Sequence, residues 1–124
     1  MSAARILRQF HEAKNMATSE PPYLYLTTTG RISGQPHTIE IWFVALDGCC
    51  YLVSEHREES HWVKNIRANP AVRFAVGSRD ASWIAGLGRQ VSPDAETDLT
   101  AAVRALMDAK YSWSDGLIVE LKPI

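Results

Sequence analysis

The chain has little that would tie it to a charged partner or to an oxidising compartment. Its 13 lysines and arginines are offset by 14 acidic residues, a formal charge of −1, so no general attraction to nucleic acid or to an anionic membrane is expected. Long apolar runs are missing: no stretch approaches the length needed to cross a bilayer. Residues 1–10 carry arginines among apolar residues, without the continuous apolar segment and small-residue cleavage site of a secretory signal. These absences point to a cytoplasmic protein. Cysteine is confined to Cys49 and Cys50. Neighbours in a strand-like run point to opposite faces, which argues against a framework disulfide and for small packing residues of a reducing compartment. His11, His37, His56 and His61 show neither an HExxH nor a paired CxxC arrangement, so no metal site is expected. The sequence has no GxSxG elbow, no Walker A loop and no GxGxxG turn, which removes support for hydrolase, nucleoside-triphosphatase and dinucleotide-fold readings.

What remains is a chain of 124 residues with 46% hydrophobic content, enough to close one core, so residues 1–124 are read as one domain. Ile6, Leu7, Phe10 and Ala13 recur at helical spacing and predict an amphipathic helix within residues 1–20 that docks on the core. After Pro21 and Pro22 the period changes to that of strands: residues 23–29, 36–46 and, past a turn at Asp47 and Gly48, 49–54, read as a meander. Within 36–46 both faces carry apolar residues, as a barrel wall requires. A helix over residues 60–69, capped by Ser60 and ended by Pro70, interrupts the barrel strands of residues 23–91. Strands resume at 72–76 and 81–91, the latter with Gly86 and Gly88 suggesting a bend or bulge. In residues 92–124, Ser92-Pro93-Asp94 starts a helix with Leu99, Ala102, Val103, Leu106, Met107 and Lys110 on one side, and a last strand covers 117–121. Six strands with three helices favour a mainly β fold, a small and mostly antiparallel barrel with flanking helices.

The chemistry concentrates between the first two strands. Thr27-Thr28-Thr29-Gly30-Arg31-Ile32-Ser33-Gly34-Gln35-Pro36-His37 combines glycines that permit positive φ and close approach with hydroxyl and cationic donors suited to phosphate oxygens. The same glycine spacing also fits a plain hairpin turn. A second polar stretch, residues 54–65, contributes Ser54, Arg57, Ser60 and Lys64 beside a helix start whose free N–H groups favour an anion. By themselves these residues read more simply as a solvated charged loop before a capped helix. Glu40, between two isoleucines, must face water or meet a partner such as Arg73 or Arg89. Trp42, Trp83, Tyr111 and Trp113 offer flat apolar surface for a ring system.

Taken together, Leu26-Thr27-Thr28-Thr29-Gly30-Arg31-Ile32-Ser33-Gly34-Gln35-Pro36-His37, Tyr51-Leu52-Val53-Ser54, and His61-Trp62-Val63-Lys64-Asn65-Ile66-Arg67-Ala68-Asn69-Pro70-Ala71-Val72 resemble the deazaflavin (F420)-dependent nitroreductase and quinone reductase family, from about residue 23 to the C-terminus. The resemblance implies a six-stranded split β-barrel related to FMN-binding, pyridoxamine-phosphate-oxidase-like proteins. It also implies an F420H2-dependent oxidoreductase that passes a hydride to a small electron-poor acceptor such as a quinone, nitro compound or enone. Arg31, Ser33, Gly34 and His37 would hold the cofactor's acidic tail, Ser54 would border its ring, and Arg57, Lys64 and Asn65 would lie near the same pocket. Trp42, Tyr111 and Trp113 would line the acceptor site, with Tyr111 the candidate proton donor beside water or a histidine. Ile32 stands where a lysine is frequent and His37 where an arginine is frequent, which removes positive charge and makes FMN the natural competitor of F420. A binding protein that holds a flavin, haem-like or lipid ligand without turnover is the competing class. Related split barrels pair as homodimers, so a homodimer is the expected assembly.

Overall fold

A computed structural model describes residues 20–124. The helix expected within residues 1–20, and His11 with it, lies outside the described residues except for Glu20. The elements run β1 (Leu24–Thr29), β2 (Pro36–Ile41), β3 (Val44–Leu46), β4 (Cys49–Ser54), a 3-10 turn (Arg57–Glu59), α1 (His61–Ala68), β5 (Ala71–Val76), β6 (Ile84–Gln90), α2 (Thr97–Tyr111) and β7 (Leu117–Pro123). The strands form one sheet in the order β2-β1-β5-β6-β7-β4-β3, with every neighbouring pair antiparallel. Both sheet edges belong to the same piece of chain. β2 is one edge, β3 is the other, and only Trp42 and Phe43 separate them, so the sheet must curl until its two sides meet at that dipeptide. The result is a split β-barrel.

The expected strand over residues 36–46 is therefore two, which raises the count among the described residues from six to seven and replaces the meander with two hairpins at opposite ends of the sheet. No breaker residue marks the split, because Ile41-Trp42-Phe43-Val44 has high strand propensity throughout. The cause is tertiary. Phe43 is fully buried, and its backbone groups bond to the end of α2 instead of to a ladder. The Tyr111 hydroxyl accepts from Phe43 N–H at 3.0 Å and lies 2.9 Å from its carbonyl, and Lys110 Nζ donates to that carbonyl at 2.8 Å.

Leu24, Leu26, Phe43, Leu52, Phe74 and Leu121 fill the barrel, and α1 adds Val63 and Ile66 to the same cluster. A second cluster lies outside the wall, where α2 lays Val103 and Met107 over Val44, Tyr51, Val53, Val91 and Ile118. Burial on both faces thus belongs to β4 and β7, while β2, expected to be such a wall, has an exposed outer face. Gly86 and Gly88 sit in an unbroken ladder without a bulge. They are needed for close packing: a Cβ on Gly88 would lie 3.0 Å from Ile66 of α1, and one on Gly86 would lie 2.8 Å from the Lys122 carbonyl.

Ser92 begins a single turn, not the helix itself. Its hydroxyl accepts from Ala95 N–H at 3.3 Å while Glu96 reaches back to Ser92 N–H at 3.0 Å, and α2 starts only at Thr97. Glu96 also pairs with Arg89, whose guanidinium grips Glu120 on β7. Arg89 is therefore not the partner of Glu40, which instead accepts from the Tyr25 hydroxyl at 3.0 Å. Cys50 points into the barrel and Cys49 to the other face, both as free thiols, and burial pushes both thiols up from their ordinary range.

Candidate functional site

The β1–β2 loop turns as the sequence implied, but its glycines serve different ends. Gly34 adopts φ +72°, which favours glycine. Gly30 is required by proximity, since a Cβ there would lie 2.6 Å from His37 Nε2 and 2.7 Å from Ser33 Oγ. The backbone is largely self-satisfied: Gly30 N–H bonds to the Gln35 carbonyl and Gly34 N–H to the Gly30 carbonyl, both at 2.8 Å, and Gln35 N–H bonds to Ser33 Oγ at 3.1 Å. An anion at this loop must therefore meet side chains more than turn amides.

Arg31 lies against α1. Its Nη1 donates to Asn65 Oδ1 at 2.9 Å, its own N–H donates to the same oxygen at 3.2 Å, and Nη2 sits 3.3 Å from His61 Nδ1. Asn65, buried at 4% exposure, completes the link by donating from Nδ2 to Thr28 Oγ1 at 3.1 Å. The amide is thus oriented by its partners, and the guanidinium forces His61 Nδ1 into the acceptor role. Pro70 ends the helix that carries Asn65, and Val63 and Ile66 anchor it in the core, so Arg31 is fixed by a rigid element.

Two adjoining clefts open here. The larger, of about 970 Å³, lies between the loop and β2 on one side (Gly30, Arg31, Ser33, His37) and Ser60, His61 and Asn65 on the other. The smaller, of about 600 Å³, runs on past Glu40, Ile41 and Trp42 toward Ser54 and Trp113. His56, Ser60 and Trp62 line both and form the shared wall. Ser60 precedes α1, but its hydroxyl makes no capping bond; it lies 2.6 Å from Ser54 Oγ, which also donates to the Arg57 carbonyl at 2.8 Å.

The structure therefore brings Arg31, Ser33, His37 and Asn65 to the larger cleft and Ser54 to the smaller one beside it, and leaves other expected residues outside their lining. Arg57 pairs with Asp115 at 2.9 Å, and Lys64 pairs with Glu59 at 3.3 Å. His56, His61 and Trp62 also line the clefts, and Trp62 at the same time packs against the barrel core. Their placement just after β4, opposite the first loop, was the available signal.

Trp42 and Trp113 line the smaller cleft. Trp42 is held at the β2–β3 break by stacking on Tyr111, centroids 4.4 Å apart and rings 3° from parallel, with Trp113 edge-on at 6.3 Å. The loop carrying Trp113 is clamped by Arg104, which donates to the carbonyls of Ser114 and Gly116. Tyr111 lines neither cleft, and its hydroxyl is engaged with the carbonyls of Pro22 at 2.6 Å and Phe43 at 2.9 Å. Its position supports Trp42 and does not offer a free proton donor.

Burial pushes the Tyr111 hydroxyl from 10.0 up to about 12. A raised pKa in the folded state means that this group's stabilising contribution is intact below about pH 10 and is lost as pH rises through about 12. The difference between phenolate absorbance titrations of the wild type and Tyr111→Phe is expected to have its midpoint near 12. A midpoint near 10, the ordinary tyrosine value, would place the hydroxyl in solvent.

Fold and site together define a split-barrel protein with two adjoining clefts beside the β2 edge of its sheet. Among solved structures the chain resembles a pyridoxamine 5′-phosphate oxidase-like protein from Listeria innocua (14% identity, TM-score 0.67, 95% of this chain and 93% of that one). It also resembles the heme storage protein HutZ from Vibrio cholerae (18% identity, TM-score 0.68, 100% and 92%). An F420 reductase matches at 27% identity, with a TM-score of 0.60 over 85% of this chain and 89% of that one. No curated protein sequence matches the chain. The model of the F420H2-dependent quinone reductase family matches residues 3–115, and the chain belongs to that family of reductases.

Proposed function

We propose that the groove binds F420 and that the protein is an F420H2-dependent reductase of small electron-poor acceptors: quinones, nitro compounds or enones. The observation that carries this reading is the pair of adjoining clefts, one lined by a guanidinium and imidazoles, the other by tryptophans, with His56, Ser60 and Trp62 lining both. The larger cleft, about 970 Å³, falls within the roughly 300–1,000 Å³ of small-molecule sites. The guanidinium of Arg31 has five N–H donors, and its contacts to α1 leave capacity for an acidic tail.

When bound, the reduced deazaflavin supplies the hydride. The protein's part is binding and orientation. Arg31, positioned by Asn65, receives negative charge. Trp62 and the Ser54–Ser60 hydroxyl pair give the shared wall one flat and one polar side. Trp42 and Trp113 provide aromatic surface for an acceptor and exclude water from it. The acceptor's proton comes from water or a groove histidine, because the Tyr111 hydroxyl is committed to backbone carbonyls.

Fluorescence titration with F420 and with FMN, followed by anaerobic oxidation of the bound reduced cofactor by menadione, tests the reading. Saturable F420 binding with menadione-dependent turnover is expected. Preference for FMN would replace the cofactor, and tight binding without oxidation would favour a storage protein, which the engaged Tyr111 hydroxyl also fits. Trp42→Ala is expected to raise the acceptor's KM by about 3- to 10-fold, the scale of one lost aromatic contact. An unchanged KM would move the acceptor away from Trp42.

A further inference from the structure

Among the described residues lining the larger cleft, Arg31 is the one permanently cationic side chain, yet three imidazoles line the same space: His37 from β2, His56 after β4 and His61 at the start of α1. Two of these touch the anion loop itself. His37 Nε2 lies 3.4 Å from Ser33 Oγ, and His61 Nδ1 lies 3.3 Å from Arg31 Nη2. The loop, β2 and α1 thus converge on one guanidinium and two imidazoles. From these contacts we infer that His37 and His61 are a proton-linked extension of the anion site: binding of a polyanionic tail at Arg31 is coupled to proton uptake by these imidazoles. The inference rests on the cofactor reading above and adds its regulation by pH.

His61 stands beside the Arg31 guanidinium and at the N-terminal end of α1. Lys64, one turn on, adds a further cation, partly offset by its partner Glu59, whose carboxylate belongs to a residue lining the same cleft. His56 lines both clefts, while Glu55 and Glu40 line only the smaller one. A phosphate or carboxylate placed among Arg31, His37 and His61 stands close to both rings, and an opposite charge within about 4–6 Å favours the charged form of an imidazole. Protonated His61 then gives up its acceptor role toward Arg31 and, like the guanidinium, becomes a donor to the anion.

The test is the pH dependence of F420 affinity in wild type and in the double variant His37→Gln, His61→Asn. These replacements keep a neutral polar group near His37 Nε2 and His61 Nδ1, both residues are exposed, and circular dichroism verifies the fold. For one imidazole whose pKa rises by about one unit on binding, the wild type binds roughly five- to tenfold more tightly at pH 5.5 than at pH 8 relative to the variant. The ligand's own titration is common to both proteins and cancels in the comparison. Calorimetry at pH 7 in buffers of different ionisation enthalpy is expected to show proton uptake by the wild type in excess of the variant. Equal pH profiles and equal proton uptake, with F420 still bound, would overturn this inference and leave the cofactor reading standing. No F420 binding at any pH would overturn both.

Discussion

Lys110→Met is expected to lower the stability of the fold by about 3–5 kcal/mol, the scale found when one partner of a buried ion pair is removed. Lys110 Nζ lies 2.9 Å from Glu20 Oε1 and 2.8 Å from each of the carbonyls of Pro21 and Phe43, with the Phe43 ring 4.0 Å beneath it. The side chains of the pair are only 17% and 4% exposed, so solvent screens them little. Removing the ammonium strands the Glu20 carboxylate, whose other oxygen accepts from Ala45 N–H at 3.3 Å, and takes one of two donors from the Phe43 carbonyl, which keeps the Tyr111 hydroxyl. Urea unfolding measures the loss, which is a large share of the roughly 5–15 kcal/mol of a typical domain. The double variant Lys110→Met, Glu20→Gln should recover part of it, because the unpaired charge is gone. A loss below about 1 kcal/mol in the single variant would mean that the pair behaves as an exposed one.

The second large effect is at the groove. Arg31→Ala is expected to weaken F420 binding by about 1.5–3 kcal/mol, the worth of a charged hydrogen bond. Asn65→Ala should reproduce much of that loss without removing the charge, because Asn65 Oδ1 holds both the backbone and the guanidinium of Arg31. The two losses should add to less than their sum in a double-mutant cycle, since both act through one guanidinium. Full additivity would make Asn65 an independent contact, and unchanged affinity in Arg31→Ala would take that residue out of the site. Either measurement is made by fluorescence titration, with thermal unfolding as the check on Asn65→Ala, where the buried Thr28 hydroxyl also loses its donor.

The strand at residues 24–29, the helix with Trp62, Val63 and Ile66, and the amphipathic face of α2 were legible because each carries its own period and its own stop signal. The Ser92 start was legible as a capping pattern but not as a separate turn, since the pattern fixes local bonds and not where the longer helix begins. In the site, Arg31, Ser33 and His37 were readable from the glycine-bounded loop. Arg57 and Lys64 were read by charge alone, which cannot say that Asp115 and Glu59 would claim them.

The order of residues by itself determined the strand-rich character of the chain, the loop with its glycines, hydroxyls and guanidinium, and the family motifs, because these depend on neighbours a few positions apart. Tertiary structure decided where residues 36–46 would break, that both edges of the sheet would fall on that one segment, and that Tyr111 would be spent on backbone bonds. Those outcomes depend on α2 delivering Lys110 and Tyr111 to Phe43, 67 and 68 positions away along the chain. No local pattern encodes a contact of that separation, since only the packed core brings the partners within hydrogen-bonding distance.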